Sequence, residues 1–421
     1  MRTDPLSSPS WALRLIVVTI LVGVGSGIGG ALVYLALHFI QHLAFGYSEG
    51  TFYEGLFDAP PASRVIALAI AGVIGGVGWW ALRRWGRRRP DRAVVSVASA
   101  VGGKRMPWLV TLINAALQVV IVGLGASIGR EVAPREVGAL FAGWLAERAG
   151  VPSRERRILV ACGAGAGLAA VYNVPFGGAV FAVEILLAEV SFATVIPALA
   201  TSAIAALVAR LVVPANPLYQ MQQIGLSPTI VVWSILAGPI VGLAAVGFVR
   251  VAEFAQAHRP KSWGILIVMP LVFTAVGVVS LWFPAILGNG RSLGQLALAG
   301  TLPVMLILVT TVLKFGATVG TIGAGAAGGT LTPSLAIGAG FGLAVGGLWS
   351  LVWPGAPLAA FALMGAAAFL AVTMRAPLTA LLLVMEFTNQ GPEMIAPVML
   401  CIAGAVGIGY LLERRRVTGV A

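Results

Sequence analysis

Gly125-Ala-Ser-Ile-Gly-Arg-Glu-Val-Ala-Pro-Arg-Glu-Val-Gly138 interrupts an otherwise apolar stretch, and Gly325-Ala-Ala-Gly-Gly-Thr-Leu-Thr-Pro-Ser-Leu-Ala-Ile-Gly338 does the same in the second half of the chain. Each reads as a glycine-rich turn leading into a new helix. A helix start carries N–H groups without an intrahelical acceptor and the positive end of the helix dipole. Inside hydrocarbon it is an anion site that needs no formal cation beside it. A second pair of stretches matches as well. Gly163-Ala-Gly-Ala-Gly-Leu-Ala-Ala-Val-Tyr-Asn-Val-Pro175 runs on to Glu184, and Gly365-Ala-Ala-Ala-Phe-Leu-Ala-Val-Thr-Met-Arg-Ala-Pro377 runs on to Glu386. The glycine, the Leu-Ala pair, the proline and the glutamate keep one constant offset. Duplicated halves with interrupted helices in corresponding places point to a binding site near the bilayer midplane, between the repeats.

Composition sets the class around these turns. Hydrophobic residues make up 59% of the 421 and charged residues 10%, where a soluble domain carries about 25% charged. Apolar runs recur at 12–42, 64–82, 107–128, 136–150, 158–189, 194–213, 229–256, 262–288, 302–320, 331–353, 358–374, 376–388 and 393–412. A full span needs about 20 residues, so the shorter runs read as broken or re-entrant helices. A helix broken within lipid survives only where the freed backbone is buried in protein or lines a cavity. The expected fold is an all-α polytopic membrane protein: an N-terminal span and external loop over 1–60, a first repeat over 61–213, a second over 229–412, and a short cytoplasmic tail over 413–421. No soluble regulatory domain is expected.

The net charge of +12 lies in short blocks, Arg83 to Arg89, Arg154 to Arg157 and Arg414 to Arg416. Such blocks mark cytoplasmic flanks, whereas Gln41 to Ser63 holds Glu49, Glu54 and Asp58 with no Lys or Arg. Both termini are therefore expected inside a cell membrane. A nucleic-acid partner is excluded, because it needs a basic face on a soluble surface. Cys162 and Cys401 lie in apolar segments, so neither a disulfide framework nor a metal cluster is indicated. No cofactor motif and no HExxH occurs, which argues against an enzyme. The run from Leu15 to Ile40 is too long for a cleaved signal peptide and reads as the first span.

Glu131 is the principal candidate side chain. It sits at the helix start of the first turn, where an ionised carboxylate occupies the anion site and a protonated one leaves it. That makes it a candidate gate and proton carrier; the alternative is a capping glutamate or one paired with Arg130 or Arg135. Amides near Thr330 and Leu331 approach from the second half, with Pro333 in the first helical turn, where its missing N–H costs nothing. Lys314 stands among apolar neighbours and either raises the local potential for anions or snorkels to the interface. Glu184, Glu189 and Glu386 read as structural partners of nearby amides or of Arg375.

As a set, these residues resemble the CLC family of chloride channels and proton-coupled chloride transporters. Gly129-Arg130-Glu131-Val132-Ala133 is similar to the family's GREGP motif and Gly329-Thr330-Leu331-Thr332-Pro333 to its GxFxP motif. Gly163 to Glu184 resembles its GAAAGLAAAFNAPLAG-type helix pair, and Arg375 to Asn389 its RAPLTG…EMT run. The resemblance implies a homodimer with one pore per subunit, built from inverted repeats of short tilted helices. It implies that Glu131 is the gate and that amides of Arg130 or Val132, Thr330 and Leu331 line the path of a chloride-like anion. Departures accompany it. The family's serine motif GSGIP is replaced by a stretch in which Ser96 is the candidate substitute, a plain helix-start serine being the alternative. The inner glutamate of proton-exchanging members falls on Ile185. The central tyrosine has no counterpart, since Tyr410 is too early and Thr418 has no helix to hold it. Pro134 stands one place late. The expected function is transport of small inorganic anions with proton coupling open; passive conduction and fluoride/proton exchange are the alternatives. A membrane scaffold or intramembrane enzyme is the remote one.

Overall fold

The computed structural model describes residues 9–47 and 52–417, so Glu49 of the expected external loop and Thr418 lie outside the described residues. The first half of the chain runs through α1 (Pro9–Phe45), α2 (Phe52–Asp58), α3 (Pro61–Arg88), α4 (Val97–Val101), α5 (Trp108–Gly123), α6 (Val132–Arg148), α7 (Ser153–Tyr172), α8 (Pro175–Phe181) and α9 (Phe192–Ala209). The second half continues with α10 (Pro228–Ala257), α11 (Ile265–Val279), α12 (Arg291–Ala299), α13 (Val304–Gly323) and α14 (Leu331–Trp349). It closes with α15 (Leu358–Met374), α16 (Pro377–Thr388) and α17 (Ile395–Val417). Among the described residues seven helices are long and apolar enough to cross a membrane, and five apolar ones are shorter. The chain is a multi-pass membrane protein of mixed full and partial spans. Large apolar side chains such as Phe39, Leu43 and Phe192 point outward, as a lipid-facing surface requires.

Most apolar runs became the expected helices, with breaks that backbone chemistry explains. The run 158–189 is three pieces, because Asn173 ends α7 in the left-handed region (φ 56°) and Pro175 opens α8. Asn tolerates that conformation better than most residues. The third piece, Ala182–Leu187, is wound as a π-helix and ends on Ala188, again left-handed (φ 51°). In the second repeat Arg375 (φ 53°) ends α15, Pro377 opens α16, and Asn389 (φ 49°) ends it. The sequence repeat is therefore repeated in backbone geometry. The short helices α2 and α12 were not read from hydrophobicity; each is brief, with polar positions among its apolar ones.

Two compact units emerge. One comprises Met1–Ala36, Leu82–Ala116 and Glu131–Asn216. Within it, α6 lies against α7 so closely that a Cβ on Gly163 would stand 2.5 Å from the Gly138 carbonyl oxygen. The other unit comprises Leu37–Ala81, Leu117–Arg130 and Pro217–Ala421. There α14 lies against α15 in the same way, a Cβ on Gly365 standing 2.5 Å from the Gly338 carbonyl oxygen. Lipid tails are as apolar as leucine, so helices in a bilayer associate through close van der Waals packing, which small residues allow. Each unit uses the same glycine pair for it.

Candidate anion site at the paired signature turns

The two glycine-rich turns share one construction. After α5, Gly125 takes φ 98°, its N–H donating to Val122 O at 3.0 Å and that of Ala126 to Ile121 O at 2.9 Å. After α13, Gly325 takes φ 99°, and the equivalent bonds run from Gly325 to Ile322 O at 2.9 Å and from Ala326 to Thr321 O at 3.3 Å. This is the Schellman termination, which needs a left-handed residue after the helix and so selects glycine. Beyond these terminations the two turns meet. Gly129 N–H donates to Gly329 O at 2.7 Å and Gly329 N–H to Gly129 O at 3.1 Å, an isolated antiparallel bridge. Each glycine thus pairs with its own counterpart in the repeat, the contact a local two-fold relation produces.

Helix starts follow at once along the chain. Glu131 is the N-cap of α6, which begins at Val132. Thr330 is the N-cap of α14, which begins at Leu331. Pro134 and Pro333 are each the third residue of their helix. The displaced proline of the first motif is thus accommodated: α6 starts three residues after its bridging glycine, α14 two after. Both prolines occupy a first turn, where a missing N–H leaves no helical bond unmade.

Glu131 is fully buried and makes no side-chain cap hydrogen bond, despite its N-cap position. Its backbone carbonyl accepts from Arg135 Nε at 2.9 Å. Arg130 and Leu331 are buried, and Val132 and Thr330 are half-buried. Ser96 is exposed and caps the five-residue α4, its hydroxyl accepting from Ser99 N–H at 3.2 Å. That is the plain helix-start role. Arg375 pairs with Glu413 at 2.6 Å, and Glu189 with Arg154 at 3.5 Å, all four well exposed. Arg375 thus has an ion-pair partner on α17. Ile185 lies half-buried in the π-helical segment.

Lys314 does not snorkel. It is fully buried on α13, and its Nζ donates to Ser127 Oγ at 2.8 Å, Ile286 O at 2.9 Å and Gly288 O at 2.7 Å. Sequence reasoning gave no role to Ser127, buried inside the first turn and 3.1 Å from Thr318 Oγ1. It also passed over a buried pair in the first unit, where Asn114 Nδ2 donates to both carboxylate oxygens of Glu136 at 2.9 Å. The signal was present, since a carboxylate inside a membrane segment is a functional or paired group by default.

Comparison with known proteins agrees with this architecture. The voltage-gated chloride channel family profile matches residues 73–410. The voltage-gated ClC-type chloride channel ClcB of Citrobacter koseri is 26% identical over 402 residues, covering 93% of this chain and 95% of that protein. A ClcB-like chloride channel protein of Ralstonia nicotianae is 31% identical over 360 residues, 82% of each chain. Among solved structures, a slow cyanobacterial Cl⁻/H⁺ antiporter superposes with a TM-score of 0.80 at 23% identity, covering 95% of both chains. A CLC-type fluoride/proton antiporter gives 0.76 at 19% identity, over 96% of this chain and 97% of that one. With its paired signature turns, its doubled helix breaks and a profile match over most of its length, the chain belongs to the voltage-gated chloride channel, or CLC, family.

Proposed function

We propose that this protein carries small inorganic anions, chloride first, across the cell membrane, with Glu131 as the protonatable gate. The observation that carries the reading is the bridge between Gly129 and Gly329, from which two helix starts depart within three residues of chain. A helix start offers an anion oriented N–H donors and a partial positive charge. The amides of Arg130, Val132, Thr330 and Leu331 are the proposed ligands, replacing the water a halide sheds on entering the hydrocarbon. Glu131, buried at the head of α6, competes for the same position when ionised and vacates it when protonated. The protein works in this reading as a homodimer in the bilayer, with both termini cytoplasmic.

Proton exchange through Glu131 requires an inner relay as well as the gate. Passive conduction is the second reading, and one observation favours it: the residue after Glu184 is Ile185, which cannot carry a proton. Fluoride belongs among the substrates to be tried, because Ser96 caps α4 with its hydroxyl and a fluoride/proton antiporter shares the fold. Proteoliposomes holding the purified chain under a chloride gradient test the whole reading. Anion efflux with uphill proton movement establishes exchange, and efflux without it establishes conduction. No efflux of chloride, bromide, nitrate or fluoride removes the reading.

A further inference from the structure

Thr311, Lys314, Thr318 and Thr321 are spaced three, four and three apart on α13, which sets them on one face of the helix, and all four are buried. Thr311 and Thr321 donate to carbonyls of their own helix, Ile307 O at 2.7 Å and Ala317 O at 2.8 Å. Lys314 and Thr318 reach outward to the same hydroxyl, that of Ser127.

Around the Lys314 ammonium every donor is used. It has three N–H groups and three acceptors: the Ser127 hydroxyl and the carbonyls of Ile286 and Gly288. All three acceptors are neutral. None of the ion pairs among the described residues involves Lys314. The acceptors also belong to one assembly, since Gly288 N–H donates to Gly125 O at 2.8 Å. The side chain therefore bolts α13 to the 286–288 loop and to the turn from Gly125 to Gly129, which in turn bridges Gly329. Two consequences follow. The turn that delivers Glu131 is fixed at Ser127, four residues upstream, hence at most about 14 Å away between Cα atoms. When protonated, an ammonium with hydrogen bonds but no counter-ion also keeps its field, and in surroundings of low dielectric that field reaches farther than in water.

We propose that Lys314 is a positioning residue for the anion path: it clamps the first signature turn through Ser127, and its unneutralised charge sets how tightly an inorganic anion is held at the helix starts. This rests on the anion-transport reading above.

The test is initial chloride flux against chloride concentration in proteoliposomes of the full chain, for wild type, Lys314→Met, Lys314→Arg and Ser127→Ala. Lys314→Met keeps the length and loses the charge; its half-saturating chloride should rise about tenfold or more, the mark of lost ground-state binding. Lys314→Arg keeps the charge and should stay within about threefold of wild type on the same measure. Ser127→Ala removes one acceptor and keeps the charge, so maximal flux should fall while half-saturation stays near wild type. Should Lys314→Met fail to fold, Lys314→Gln takes its place, its amide donating to the 286 and 288 carbonyls without charge. Wild-type half-saturation in the folded neutral variant overturns the proposal. A wild-type chain with no saturable anion flux removes the transport reading together with it, so the two failures are told apart.

Discussion

Gly129 and Gly329 exchange backbone hydrogen bonds in both directions, at 2.7 and 3.1 Å, although each belongs to the signature turn of a different repeat. Such a contact between equivalent residues ties the geometry of one turn to that of the other. Variants at either turn should therefore report on both turns.

Glu131→Gln is the direct test of the gate. A neutral side chain of the same shape imitates the protonated state at every pH. Anion flux should be retained or raised and its pH dependence lost, measured as efflux at several external pH values. A variant that keeps the wild-type pH response takes the gate away from Glu131. Glu136→Gln, five residues on, should leave that response in place.

The glycine contacts between helices should be equally intolerant in both repeats. Alanine at Gly163 or at Gly365 would put a Cβ 2.5 Å from the facing carbonyl oxygen, of Gly138 or Gly338. Each substitution should cost about 1–3 kcal/mol through forced separation of the helices, read as a lower thermal midpoint in detergent. Gly247, inside α10, has nothing within 4 Å of its notional Cβ. Its change to alanine should be neutral or stabilising by up to about 1 kcal/mol.

Asn114 and Glu136 form a buried polar pair on α5 and α6. Asn114→Leu removes the amide that meets both carboxylate oxygens and should destabilise by about 1–3 kcal/mol. Glu136→Gln keeps hydrogen-bonding capacity and should cost less. A double variant, Asn114→Leu with Glu136→Leu, should be less damaged than the sum of its parts, the signature of direct coupling.

Ala188 holds φ 51° at the end of the π-helical segment, where its Cβ is disfavoured by about 1 kcal/mol. Ala188→Gly should raise stability by roughly that amount. At the matching place in the second repeat, Asn389→Gly should gain less, because asparagine already tolerates the left-handed region. Equal gains at both positions would show that backbone strain is not what separates them.

Most of the helices and both signature turns were legible in the sequence, because hydrophobic run length and glycine placement are local properties. The breaks at Asn173 and Arg375 were foreshadowed by Pro175 and Pro377. Harder to foresee was everything that depends on contact between distant segments. Lys314 read equally well as snorkelling or as facing the anion path, and only its three acceptors, contributed by residues 127, 286 and 288, decide against the interface. Ser127 drew no reading of its own for the same reason. Asn114 and Glu136 are 22 residues apart, and nothing local announces that they pair. Ser96 shows the opposite case, since its capping of Ser99 N–H is a local motif and was already one of its two readings.

The two connections leaving the Gly129–Gly329 pair are unequal: Arg130 and Glu131 on one side, Thr330 alone on the other. A duplicated framework thereby acquires a long arm and a short arm. The long arm has an additional rotatable residue and bears the acidic group, whereas the short arm is pulled directly into its helix. On the proposed reading, the gate therefore lies on the longer of the two connections.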